Sequence, residues 1–225
     1  MTASKLSRML FPVTLVVLGL AGWLNWRAPL EVDEGIVQKT MYVHLPTIWV
    51  AYLAFTVGLV SSIGFLINRK RAWDRVAVSS TEIGVVFCTL VLLTGPIWAK
   101  AIWGVWWQWD ARLTSTLVLW FMYVGYLVLR VLAPDRETGA KWSAVLAIFA
   151  FLDIPIVHKS VEWWRTLHPQ PKVASPNGVG SGLPDPAMRW ALVSALVAFT
   201  FLYLFLLFLR LAVERLTDDV EAAEA

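Results

Sequence analysis

Six apolar stretches, each near the length needed to cross a bilayer, divide this 225-residue chain and limit its fold more than any other feature. They cover residues 10–26, 46–68, 77–99, 113–133, 143–157 and 189–211, with charged or Pro/Gly-rich segments between them. A hydrocarbon core of about 30 Å takes roughly 20 helical residues. Lipid offers the backbone no hydrogen-bond partner, so only helices or closed barrels span it, and these runs are continuous rather than alternating. The sequence therefore predicts an all-α membrane protein, one domain over 1–225, built as a bundle of six transmembrane helices. The fifth stretch is short and is interrupted by Asp153 and Pro155. The first has the basic flank of a signal peptide in Lys5 and Arg8, but it lacks an A-x-A-like cleavage site and reads as a retained helix. Overall, 58% of residues are hydrophobic, 16% are charged and the mean hydropathy is +0.64, outside the range of a soluble domain.

Charge sets the expected orientation. The amino end, the 69–75 loop, the 134–141 loop with Arg130 and the carboxyl tail carry 11 of the 19 Lys and Arg residues. By the positive-inside rule both termini are cytoplasmic. The outer loops are then 27–45, 98–112 and 158–188, and all three histidines, His44, His158 and His168, fall in or beside them. The net charge of +3 is spread over short clusters with no basic face for nucleic acid. The single cysteine, Cys88, lies in an apolar run and reads as a buried hydrophobe. Neither C-x-x-C-H nor G-x-x-x-x-G-K-[ST] occurs, so the chain neither attaches a c-type haem covalently nor hydrolyses ATP through a P-loop.

The second outer loop contains W-G-V-W-W-Q-W-D, with Trp103, Trp106, Trp107 and Trp109 within eight residues. Taken as a helix after a Gly95–Pro96 break, Trp103, Trp106, Trp107 and Asp110 recur at i, i+3, i+4 and i+7. The expected element is a short amphipathic tryptophan-rich segment at the outer face, within 98–115. An interfacial aromatic belt explains any one of these indoles. The cluster, ending in Asp110 and Arg112, favours a platform for a flat apolar ligand with polar edges, and porphyrin is such a ligand. Arg112, with Lys39 from the first outer loop, supplies a cation for a carboxylate edge; a snorkelling arginine is the alternative.

His44 stands in M-Y-V-H-L-P beside Tyr42, with Pro46 at a plausible first helical position. His168 ends S-V-E-W-W-R-T-L-H-P, where Ser160 caps a short helix, Pro169 holds His168 at its boundary, and Trp164 shares a face with His168 at i, i+4. Two neutral imidazoles from separate loops suit the two axial positions of one haem iron, each needing a partner on its other ring nitrogen. His158, four residues from Glu162, reads as a structural pair. Zinc is disfavoured without H-E-x-x-H or a cysteine pair. Glu82 and Asp153 are acids within spans, and Asp153 is expected to bond a neighbouring helix or a partner protein.

These motifs resemble the heme exporter protein C family (CcmC) of cytochrome c maturation, among the haem-handling proteins with a tryptophan-rich WWD domain. The resemblance rests on W-G-x-W-W-x-W-D-A-R-L-T-S at 103–115, with M-Y-V-H-L-P and S-V-E-W-W-R-T-L-H in matching loops, and it covers nearly the whole chain. It implies a non-enzymatic, multi-pass protein of the bacterial inner membrane that binds b-type haem non-covalently, as transient cargo, at the periplasmic face. It implies axial ligation by His44 and His168, a platform of Trp103, Trp106, Trp107 and Trp109, and polar or propionate contacts from Asp110, Arg112 and Lys39. Tyr42, Glu162, Trp163 and Trp164 are secondary candidates. Implied partners are a periplasmic haem chaperone (CcmE), the ABC transporter subunits CcmA and CcmB, the single-span CcmD and membrane lipid, with no nucleic acid. His158 and the loop 169–186 receive no role. A haem lyase acting on apocytochrome c is the alternative, disfavoured by the short chain. A b-type electron-transfer cytochrome is disfavoured because no histidine lies within an expected span, and a permease using Asp153 leaves the indoles unexplained.

Overall fold

The computed structural model describes residues 2–32, 34–164, 166, 168, 174–175, 178–179 and 183–224. In chain order the helices are α1 (Ala3–Arg27), α2 (Met41–Asn68), α3 (Arg71–Trp103), α4 (Ala111–Leu132), α5 (Arg136–Phe151), α6 (Asp153–Trp163) and α7 (Pro186–Glu224). A 3-10 turn, Ile36–Thr40, leads into α2, and β1 (Ala174–Ser175) pairs antiparallel with β2 (Gly178–Val179). Six spans result, long and apolar enough to cross a membrane, with α5 and α6 forming one of them. The all-α six-span expectation therefore holds, and the protein is a multi-pass membrane protein. Several helices outrun the apolar stretches that announced them; α3 passes straight through Gly95 and Pro96. The break in the fifth span falls at Leu152. Pro155 has no N–H to return to the Phe151 carbonyl four residues back, which accounts for the interruption there.

The frame is the antiparallel pair α2 and α3. Lipid is as apolar as leucine, so helices associate through close packing and interhelical hydrogen bonds, which small residues permit. Ala54, Gly58, Ser61 and Ser62 of α2 are buried, as are Ala77, Ser80, Thr81 and Gly84 of α3. A Cβ added to Gly84 would stand 2.5 Å from the Phe55 ring, and one on Gly58 would stand 2.8 Å from Thr81 Oγ1. The Ser80 hydroxyl donates to the Ala54 carbonyl at 2.7 Å. Its one proton is thereby committed, so Tyr203 of α7 must donate to Ser80 Oγ across 2.8 Å.

The remaining helices wrap this pair. α4 buries a narrow stripe of Leu119, Tyr123 and Tyr126, and Tyr123 stacks on Phe55 with ring centroids 3.7 Å apart. α5 presents Gly139, Ala140, Ser143, Ala144, Ala147 and Ala150, small enough for close approach. Cys88 lies buried in the same core, as expected. α1 is peripheral: its buried residues are Ala3, Ser7, Thr14 and Ala21, and Thr14 donates to Phe201 O of α7 at 3.4 Å.

At the end of the bundle opposite the tryptophan-rich segment, ion pairs lock four helices together. Asp74, 2% exposed, receives Arg71 and both guanidinium NH2 groups of Arg130. Asp218 of α7 binds Arg71, Arg75 and Arg136. Glu82, the expected intramembrane acid of α3, pairs with Arg210, which also holds Glu214. Asp153 is buried and its Oδ2 has no partner among the described residues, so within these this oxygen does not make the bond to a neighbouring helix expected of it.

Gly84→Val tests the α2–α3 contact. Phe55 is pinned by Tyr123 and cannot move aside, so overpacking should cost about 1–3 kcal/mol in reversible unfolding of the micelle-embedded protein. Wild-type stability in that variant would show the interface is looser than described.

Candidate functional site

The other end of the bundle gathers the C-terminal ends of α1, α3 and α6 with the N-terminal ends of α2, α4 and α7. Here Gly104 takes a left-handed conformation (φ 75°) and its N–H returns to Lys100 O at 3.2 Å, stopping α3 at Trp103. The chain then runs without helix until Asp110 caps α4, its Oδ1 accepting from Leu113 N–H at 2.8 Å. The expected amphipathic helix over Trp103, Trp106, Trp107 and Asp110 does not form. Gly104 ends helical geometry one residue in, while the Gly95–Pro96 pair, read as a break, lies inside α3. Trp103 ends α3, Trp107 is half-buried and meets Trp109 edge-on at 5.5 Å, and Trp106 and Trp109 are 60% and 76% exposed.

His44 is not in a loop. The 3-10 turn carries helical geometry up to Met41, so α2 starts five residues before Pro46 and His44 sits in its first turn, 4% exposed. The reason for setting aside an electron-transfer cytochrome shifts accordingly: His44 lies in a span, but at its rim. Across the α2–α3 contact His44 Nδ1 is 2.7 Å from Thr94 Oγ1, and the ring tilts against Trp98 at 6.0 Å. Gly95 completes the wall, where an added Cβ would stand 3.5 Å from His44 Cε1.

His168 reaches the same region from the third loop. Its ring meets Trp103 edge-on at 5.5 Å. Its backbone N–H donates to Thr166 Oγ1 at 3.0 Å, and the Thr166 hydroxyl donates to Asp110 Oδ2. Asp110 thus has both carboxylate oxygens engaged, one capping α4 and one tethering the third loop. Burial pushes the His168 imidazole down to about 4, the positive charge of Arg112 adds to this, and Asp110 opposes it. The same burial favours the neutral ring over the charged one.

Four buried side-chain nitrogens lack a hydrogen-bond partner among the described residues: Trp98 Nε1, Trp107 Nε1, Arg112 Nε and His168 Nδ1. All four lie at this end. An unmade buried hydrogen bond costs about 1–3 kcal/mol, so four such nitrogens at one end make it the candidate site for a ligand with polar edges.

The other expected residues have structural partners. Arg112 crosses to α6 and donates to His158 O at 3.0 Å, which leaves Nε free. Lys39 donates to Asn25 O and Trp26 O at the end of α1. Tyr42, 1% exposed, packs beside Met188 and Leu192 of α7 and accepts from Gln38. Glu162 binds Lys159 rather than His158: both lie about one helical turn away, and the long, flexible lysine side chain carries its ammonium to both carboxylate oxygens. Ser160 does not cap a helix: α6 begins at Asp153, so Ser160 is interior, and its hydroxyl donates to Val157 O. Trp164 is extended where α6 ends, so it shares no helical face with His168; it packs edge-on with Trp163, both more than half exposed. Pro169 and most of the loop 169–186 lie outside the described residues.

Thr94, Trp98 and Thr166 were missed. Thr94 and Trp98 stand four apart on one helical face, a signal hidden by reading Gly95–Pro96 as a stop. Thr166 carried no signal, since its role depends on the meeting of two loops.

The family model for heme exporter protein C matches residues 1–225. The chain is 36% identical over 219 residues to heme exporter protein C of Haemophilus influenzae, covering 96% of this chain and 87% of that one. Heme exporter protein C of Bradyrhizobium diazoefficiens is 35% identical over 84% of this chain and 71% of its own. That of Escherichia coli K12 is 36% identical over 82% and 76%.

The depressed His168 value gives a pH test. The unfolded imidazole titrates near 6.5, so the fold loses stability as the pH drops from about 6.5 towards 4, and this contribution is constant above that window. Nuclear magnetic resonance of labelled histidine should place the His168 midpoint near 4; a midpoint near 6.5 would mean a solvated ring.

Proposed function

The chain belongs to the heme exporter protein C family, and from that premise we propose that it binds haem between His44 and His168 and delivers it to a periplasmic haem chaperone for c-type cytochrome maturation. It works in the bacterial inner membrane with both termini cytoplasmic, beside a separate ABC ATPase, a partner membrane subunit and a small single-span protein. It forms no covalent bond with its cargo.

The observation that carries this reading is the convergence of two imidazoles, four unpartnered buried nitrogens and an indole wall at one rim. A neutral imidazole is an iron ligand, whereas a protonated one has no lone pair to give. The low His168 value keeps that ligand available across physiological pH. Trp98, Trp103 and Trp107 supply apolar surface for a macrocycle, and the Arg112 Nε–H supplies a donor for a carboxylate edge. Delivery needs a cargo that another protein can reach. The exposed Trp106, Trp109, Trp163 and Trp164 form an aromatic rim suited to a docking partner, since aromatic side chains concentrate at protein interfaces.

His44→Ala or His168→Ala should abolish the Soret band of protein purified with haem, while the exposed His158→Ala retains it. Arg112→Ala should keep the fold and lower haem retention or chaperone loading. Unchanged Soret bands in the first two variants would refute axial ligation by this pair.

A further inference from the structure

We propose that Thr94 is a positioning residue that fixes the tautomer of His44, so that Nε2 faces an incoming metalloporphyrin with its lone pair free. The proposal rests on the haem reading above and deepens it, by naming what orients the buried ligand.

A threonine hydroxyl has one proton. Thr94 Oγ1 lies 2.7 Å from Leu90 O, with a longer contact to Val91 O at 3.5 Å, and both carbonyls can only accept. The same oxygen lies 2.7 Å from His44 Nδ1. When Nδ1 carries the imidazole hydrogen, both short contacts are satisfied together: Nδ1–H donates to Oγ1, and Oγ1–H donates to Leu90 O. When the hydrogen sits on Nε2, Nδ1 and Leu90 O compete for the single hydroxyl proton and one contact goes unmade. At a side chain only 4% exposed, water does not readily replace it. The geometry therefore favours Nδ1–H by one hydrogen bond and leaves Nε2 bare.

Two neighbours keep the ring in that pose. Trp98 tilts against one side, and Gly95 brings the α3 backbone beside Cε1. Thr94, Gly95 and Trp98 form one short stretch of α3, and His44 is the α2 residue that the stretch receives. An acceptor on Nδ1–H also makes the ring a stronger donor through Nε2, as outer partners of metal-bound histidines do. A preset tautomer spares the site a proton rearrangement each time cargo arrives.

The test uses the full chain in detergent, labelled with nitrogen-15 at histidine and free of haem. The His44 signals, assigned by their loss in His44→Gln, should report Nδ1–H with bare Nε2 in the wild type and in Thr94→Ser. Thr94→Val, similar in shape but without a hydroxyl, should shift the population towards Nε2–H, and Thr94→Ala should do the same if the valine variant folds poorly. In haemin titrations Thr94→Val should bind on the order of 10- to 100-fold more weakly, and the bound haem should show a raised reduction potential, with Thr94→Ser restoring both. A wild-type His44 in the Nε2–H form, or a valine variant matching wild type in tautomer and potential, would overturn the proposal. If His44→Gln leaves the haemin spectrum unchanged, the ligand assignment fails instead, and the haem-free tautomer measurement still decides the role of Thr94.

Discussion

The close contact between α2 and α3 is the constraint on which the rest of the structure depends. Gly58 and Gly84 leave no room for a methyl group, and Ser80 bonds across the interface to Ala54 O. In lipid such contact is the main source of helix association, because burying apolar surface away from other apolar surface gains little. The same contact sets the spacing at the rim, where His44 of α2 meets Thr94, Gly95 and Trp98 of α3. A frame built from the smallest residues thus determines the placement of one of the most chemically demanding ones.

The two ends of the bundle handle polar groups in opposite ways. At one end Asp74, Arg130, Arg136, Glu214 and Asp218 satisfy one another in a network joining α3, α4, α5 and α7. The charges at that end have partners within the chain. At the other end buried nitrogens of Trp98, Trp107, Arg112 and His168 are left without partners among the described residues. Leaving them so is unfavourable in a protein interior, which is what makes this end the candidate site. Asp110 shows how the loops around it are held, one carboxylate oxygen capping α4 and the other receiving Thr166.

The site also departs from the simplest picture of an indole shelf on an amphipathic helix. Gly104 ends α3 and the chain beyond it is not helical until α4, so the tryptophans divide their work. Trp98 and Trp103 line the imidazoles from within the helix, Trp107 is half-buried, and Trp106 and Trp109 form the exposed rim. The wall around the two imidazoles is thus part helix and part loop, with an exposed aromatic edge.

What the sequence determined by itself was set by hydropathy and composition. Apolar runs of membrane-spanning length can only be helices in lipid, so the six spans and the place of the tryptophan-rich segment at one end were legible from residue order, whereas the ligand roles proposed for His44 and His168 came through motif resemblance. Helix ends were less legible. Gly95–Pro96 and Pro46 read as boundaries, yet both lie inside helices, because neighbouring helices support a backbone that local propensity would break. The tertiary structure alone decided that Tyr42 belongs to the core, that Lys39 caps α1 and that Glu162 takes Lys159. It also supplied Thr94 as the partner of His44. His44 and Thr94 stand 50 positions apart, and only the packing of α2 against α3 brings them within hydrogen-bond reach.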